Sequence, residues 1–133
     1  MVEAAERDVE QLDTGLKQLY EEGAAQVFFA DADARAGRGP VPIVGAIGQL
    51  QFDVMLHRLE HEYGAPARLE SIGYSQPRWV TGSPQEIERV GGGRGRMLLY
   101  DTKGAPLILF ADKWTLRATL ERETEIEYHE VAP

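Results

Sequence analysis

The chain has no cysteine among its 133 residues. That excludes disulfides, thiolate nucleophiles and any zinc or iron–sulfur site built on thiolates. It fits a reducing compartment, and the expected location is the cytoplasm. No apolar run reaches the ~18 residues that mark a membrane-spanning helix. The opening residues, MVEAAERDVE, are acidic and polar and do not read as a signal peptide. Bases are scarce as well: 14 Lys plus Arg stand against 22 Asp plus Glu, for a formal charge of −8. Such a balance argues against broad affinity for free nucleic acid.

What is present suits a folded domain. The apolar content is 43% and the charged content 27%. The length falls in the range of about 100–150 residues typical of one domain. A chain of this size buries roughly two-thirds of its unfolded surface and needs no covalent or metal staple. The charge is uneven. Residues 1–66 carry 12 acids and 5 bases, whereas residues 67–133 carry 10 acids and 9 bases. Within 78–117 the sign reverses: Arg78, Arg89, Arg94, Arg96, Lys103, Lys113 and Arg117 outnumber Glu86, Glu88, Asp101 and Asp112. A local basic surface on an acidic body can make a few placed phosphate contacts. The competing reading is a solvated face of mixed charge.

Periodicity gives the elements. Val9, Leu12, Leu16, Leu19 and Tyr20 share one helical face, which predicts a helix over about 8–22 with Gly23 after it. AAQVFFA (24–30) and PIVGAIG (42–48) read as buried strands, and DADARAGRGP (31–40) as a loop. Residues 48–63 form the clearest helix, with Phe52, Met55, Leu56, Leu59 and Tyr63 as its core stripe. Leu50 and Val54 are expected to widen that stripe. Gly64 and Pro66 end it. ARLESIG (67–73) and PRWVTG (77–82) read as strands. Ser83, Pro84 and Glu86 open a short helix ending near Val90, and GGGRGR (91–96) is a loop. RMLLYD (96–101), the turn DTKG and APLILFA (105–111) form a hairpin. Asp112 caps a helix through about Arg122 with Trp114 expected to face inward. TEIEYHEV (124–131) alternates as a final strand, with Ile126, Tyr128 and Glu130 on one face. The sum is an α+β fold with helices on a largely antiparallel sheet. The sequence shows no repeats, and an internal break near 64–66 would give subdomains 1–65 and 66–133.

No residue set passes a catalytic test. His57 and His61 lie four apart on a helix and could face one metal ion, but the order H-R-L-E-H lacks the spacing of a zinc hydrolase and no third ligand is evident. Asp31 and Asp33 form a D-x-D pair without a phosphate-binding partner. GGGRGR could cradle phosphate through backbone N–H groups, yet it lacks the P-loop pattern. There is no G-x-S-x-G nucleophile elbow. Trp79 and Trp114 read as core anchors rather than stacking platforms. From the residues taken by themselves, the reading stops at a binding or interaction domain.

Two segments say more: GLKQLYEEGAAQVFFAD (15–31) and VPIVGAIGQLQFDVMLHRLEHEYGAPARLESIGYSQPRWV (41–80). They resemble the C-terminal domain of the bacterial peptide chain release factor 3 family, in which the helix start Gly48–Phe52 is followed at fixed spacing by Arg58, Leu59, Glu62, Tyr63 and Gly64. A more distant likeness to the third domain of elongation factor G implies a ferredoxin-like βαββ first half, followed by a hairpin plus helix and strand. The resemblance implies one C-terminal domain over 1–133 of a translational GTPase that promotes dissociation of class I release factors from the ribosome. This chain lacks the P-loop and the N-K-x-D motif, so it is not expected to be an enzyme. No cofactor is expected here, GTP and Mg belonging to the absent G domain. The implied partners are the small ribosomal subunit and the parent's own G domain and β-barrel, with no membrane. Arg94, Arg96, Lys103 and Arg117 are the candidate ribosome contacts. Two alternatives stay open: a small stand-alone enzyme or metal-binding domain, and a docking domain that never touches the ribosome. Two departures from the family pattern stand out. The family has an extended basic strand before the first helix, whereas MVEAAERDVEQLD is acidic, so that strand is expected to be absent or replaced. The 94–133 stretch matches weakly.

Overall fold

The computed structural model describes residues 2–5, 9–35, 42–46 and 48–133. The fold is α+β and divides into two compact units, Met1–Ile72 and Gly73–Pro133.

The first unit runs β1 (Val2–Ala5), α1 (Val9–Glu21), β2 (Gln26–Phe28), α2 (Ala32–Arg35), β3 (Ile43–Gly45), α3 (Gln49–Tyr63) and β4 (Arg68–Ser71). Its sheet has the order β2-β3-β1-β4, and every recorded pairing is antiparallel. With α1 and α3 as the crossovers, this is the β-α-β-β-α-β ferredoxin-like arrangement, one helix and one strand beyond the expected βαββ. The first strand is therefore present, contrary to the expectation from its acidity. β1 pairs with β3 and β4 (Val2 opposite Val44 and Ser71). Those ladders, not local propensity, hold a four-residue V-E-A-A segment extended. The loop expected over 31–40 contains the single helical turn α2, in which the Arg35 N–H donates to the Asp31 carbonyl at 3.1 Å. Residues 36–40 of that stretch lie outside the described residues.

Leu12, Leu16 and Leu19 of α1 and Phe52, Met55 and Leu59 of α3 meet in one core with Val27 and Val44. Gly15 lets the two helices approach, since a Cβ there would lie 2.6 Å from Leu59 Cδ2 and 3.1 Å from the Tyr63 ring. Gly23 (φ +76°) ends α1 with Ala24 N–H bonded to the Leu19 carbonyl and its own N–H to that of Tyr20, a Schellman closure. Leu50 and Val54 do not widen the α3 stripe: they are 75% and 49% exposed. Each lies two residues from Phe52, and at about 100° per residue that turns them toward the far side of the helix.

The second unit runs β5 (Gln76–Thr81), α4 (Pro84–Gly91), β6 (Arg96–Tyr100), β7 (Pro106–Phe110), α5 (Lys113–Arg122) and β8 (Glu127–His129). Its order β6-β7-β5-β8, again antiparallel, repeats the connectivity of the first unit without any repeat in the sequence. Ser83 Oγ accepts from the Glu86 N–H at the start of α4, and Asp112 Oδ1 accepts from the Thr115 N–H at 2.7 Å at the start of α5. The core holds Val80, Ile87, Val90, Ile108, Phe110, Leu116 and Ile126. Trp79 is a core anchor as expected, but Trp114 is not: it is 74% exposed. The inward face of α5 is Leu116 and Thr119, and Trp114 stands two residues, about 200°, from Leu116.

Candidate functional site

The GGGRGR segment and α5 build a groove of about 450 Å³, lined by Arg94, Arg96, Trp114, Thr115, Ala118, Thr119, Arg122 and Glu123. The turn arises because α4 ends at Gly91, where a side chain would collide with Leu98, and the chain reverses through Gly95 at φ +73°. Reversal brings Arg94 and Arg96 beside α5. Ala111 N–H donates to the Gly95 carbonyl at 2.9 Å and ties the turn to the start of that helix. Thr115, Ala118, Thr119 and Arg122 recur at helical spacing along the facing side.

Arg96 is seated by its neighbours. Its guanidinium lies over Gly93, where any side chain would overlap it. Its Nε is fully buried with no hydrogen-bond partner. Glu123, the acid of the groove, is already engaged by Arg89 at 2.8 Å. That hydrogen bond, helped by the charges of Arg89, Arg96 and Arg122, holds the Glu123 carboxyl below the usual glutamate range. Arg89 also pairs with Glu86 at 2.6 Å, so the α4 cation is spent on structure. In contrast, Arg94, Arg96, Arg117 and Arg122 form no ion pair with a described residue. Arg117 instead stands 5.4 Å above the centre of the Trp114 ring, a cation–π arrangement. The groove thus carries three guanidiniums against one compensated carboxylate.

The four residues expected to make the contact are not all brought together. Arg94 and Arg96 line the groove, and Arg117 adjoins it through Trp114. Lys103 sits exposed in the β6–β7 turn, at the other end of strand β6 from Arg96. Sequence reasoning missed Arg122 and Trp114. The i, i+3, i+4, i+7 series Thr115, Ala118, Thr119, Arg122 was the signal available for the first of them.

The His57 and His61 rings lie 4.3 Å apart on the exposed side of α3. Among the described residues no group of three His, Cys, Asp or Glu side chains could hold a metal ion. Asp31 is exposed at the start of α2, and the Asp33 side chain lies outside the described residues. His129 Nε2 is 3.0 Å from Thr81 Oγ1, linking β8 to β5. No described helix is long and apolar enough to cross a membrane.

Comparison with known proteins supplies the family. The family model for the class II release factor RF3 C-terminal domain matches residues 3–120, including most of the first strand and most of α5. Peptide chain release factor 3 of Gloeothece citriformis is 38% identical over 123 residues, covering 92% of this chain and 22% of that protein. The same factor of Symbiobacterium thermophilum is 38% identical over 118 residues, 89% of this chain and 21% of that protein. That of Nitrosomonas eutropha is 39% identical over 122 residues, 91% and 22% respectively. The chain spans about a fifth of the length of these relatives.

Proposed function

The chain belongs to the class II release factor RF3 C-terminal domain family, and from that premise we propose that it is the ribosome-contacting end of a GTP-dependent termination factor. In this reading it performs no chemistry. GTP and Mg would act on a G domain elsewhere in the parent, and the parent would work in the cytoplasm to release class I release factors. The domain's part is coupling: a higher affinity for one ribosome state biases the same equilibrium that GTP biases.

The observation that supports this reading best is the groove of Arg94, Arg96 and Arg122 beside Trp114, on a chain whose net charge is −8. An acidic body repels rRNA at long range, so contact is confined to the groove. The partner proposed is the small subunit. The test is co-sedimentation of the chain with purified small subunits as salt is raised. Weak binding that falls with salt is expected. No binding, or binding indifferent to salt, would remove this reading.

A second reading is favoured by α3. Leu50 and Val54, one turn apart, expose apolar surface, and the one Arg of α3, Arg58, is held by Glu22 and Glu62. That surface suits docking on the parent's own G domain or β-barrel, and it is compatible with ribosome contact through the other unit. Leu50→Glu should then weaken association with the rest of the parent while leaving subunit binding by the isolated chain unchanged.

A further inference from the structure

The groove holds one feature that phosphate contact does not explain. Trp114 is 74% exposed and lines the same groove as three arginines. Phosphates are answered by guanidiniums; the indole meets the Arg117 guanidinium 5.4 Å from its ring centre, yet it stays 74% exposed and gives α5 no advantage in helix propensity. We propose that the groove takes one unstacked nucleotide of RNA, its base against Trp114 and its flanking phosphates on Arg94, Arg96 and Arg122. This deepens the ribosome-contact reading and rests on it for the identity of the polymer.

Base–aromatic stacking tolerates any sequence, because every base offers a π-face. Single-stranded loops and bulges are where RNA presents such bases; an A-form duplex keeps its bases stacked inside and would leave the indole in water. The volume of about 450 Å³ falls within the roughly 300–1,000 Å³ of sites for small ligands, enough for a nucleotide and too little for a helix. The cations are pre-placed. Arg96 lies over Gly93 and lines the groove, and Arg89 engages Glu123, which would otherwise repel phosphate. Arg117 over the indole adds positive charge at the rim. An acidic peptide would match the arginines but offer the indole no flat partner.

The test uses tryptophan emission. Trp79 is buried, so a ligand stacking in the groove quenches chiefly Trp114. The 133-residue chain is titrated at low salt with a short oligouridylate, with inorganic pyrophosphate and with a short oligoglutamate peptide. Saturable quenching by the oligouridylate, without it from the other two, is expected. Trp114→Ala should weaken oligouridylate binding, followed by anisotropy of a labelled strand, by roughly tenfold, and Trp114→Phe by less. Arg94→Ala and Arg122→Ala should each reduce affinity and lower the salt slope by about one. Gly93→Ala should weaken binding by displacing the Arg96 guanidinium. Absence of quenching, equal quenching by oligoglutamate, or unchanged affinity in Trp114→Ala would overturn the site. Full small-subunit binding by Trp114→Ala, with loss in the arginine variants, would sink the stacking site and leave the proposed function standing. No subunit binding by the unaltered chain would overturn both.

Discussion

The indole Nε1 of Trp79 donates to Oδ2 of Asp101 at 3.0 Å, joining the middle of β5 to the start of the β6–β7 turn. The other oxygen, Oδ1, accepts from the backbone N–H groups of Lys103 and Ala105, each at 2.9 Å. One buried carboxylate therefore closes the hairpin and satisfies a core indole. Asp101→Ala removes the acceptor of these three bonds, and a buried donor that loses its acceptor costs about 1–3 kcal/mol. A loss of roughly 2–3 kcal/mol in urea denaturation is expected. A change under about 0.5 kcal/mol would mean that the turn is closed by other groups.

Gly15 sits where α1 crosses α3. Alanine gains about 1 kcal/mol of helix propensity over glycine in a helix interior. Here its methyl would lie 2.6 Å from Leu59 Cδ2, and Leu59 is fully buried and cannot swing away. Overpacking of this kind costs about 1–3 kcal/mol. Gly15→Ala is predicted to lower stability, by thermal melting, despite the better propensity.

Leu50 and Val54 mark where the pattern of apolar residues misleads. Both fit an apolar helix by composition, and the sequence reading put them in the core stripe. The stripe is narrower, because Phe52, Met55 and Leu59 fill the contact with α1. Leu50→Ala should therefore shift stability by no more than about 0.5 kcal/mol. Phe52→Ala, by contrast, should cost about 3–5 kcal/mol. Equal effects in denaturant titrations would contradict the orientation of α3.

Two glutamates give the domain an acid limb. The hydrogen bond from Arg58 holds the Glu62 carboxyl below its ordinary value, and that from Arg89 does the same for Glu123. Folded values below the unfolded ones mean that this stabilisation is present above the ordinary glutamate value of about 4.3. It is lost as pH falls through the lowered values. Asp112, held down by the Thr115 N–H, acts in the same direction. All three are partly exposed, so each effect is small. Glu123→Gln should lower the melting temperature at pH 7 and flatten its decline below pH ~4. An unchanged pH profile would show that Glu123 titrates alike in both states.

Much of this fold could be read from the sequence because its signals are local. The Ser83 and Asp112 caps, the Gly23 and Gly64 stops and the hairpin around Asp101–Gly104 act through neighbouring residues. What escaped was set by distant pairing. β1 is a strand because β3 and β4 flank it, which V-E-A-A does not announce. The duplicated connectivity of the two units likewise leaves no trace in residue identity. The groove was half legible. The surplus of bases over 78–117 pointed to Arg94 and Arg96, but α5 decides which other residues join them. Its Asp112 cap sets the phase that turns Leu116 inward and Trp114 outward.

The proposed function stands on ribosome contact through the Arg94–Arg96–Arg122 groove. Its most direct test is charge reversal, measured as affinity for purified small subunits at one fixed salt concentration. Arg94→Glu and Arg122→Glu are compared with Lys17→Glu and Arg68→Glu, which reverse exposed charges of the first unit. The groove variants are expected to lose binding at least tenfold more than the controls. Equal losses in both pairs, or none in the groove pair, would contradict it.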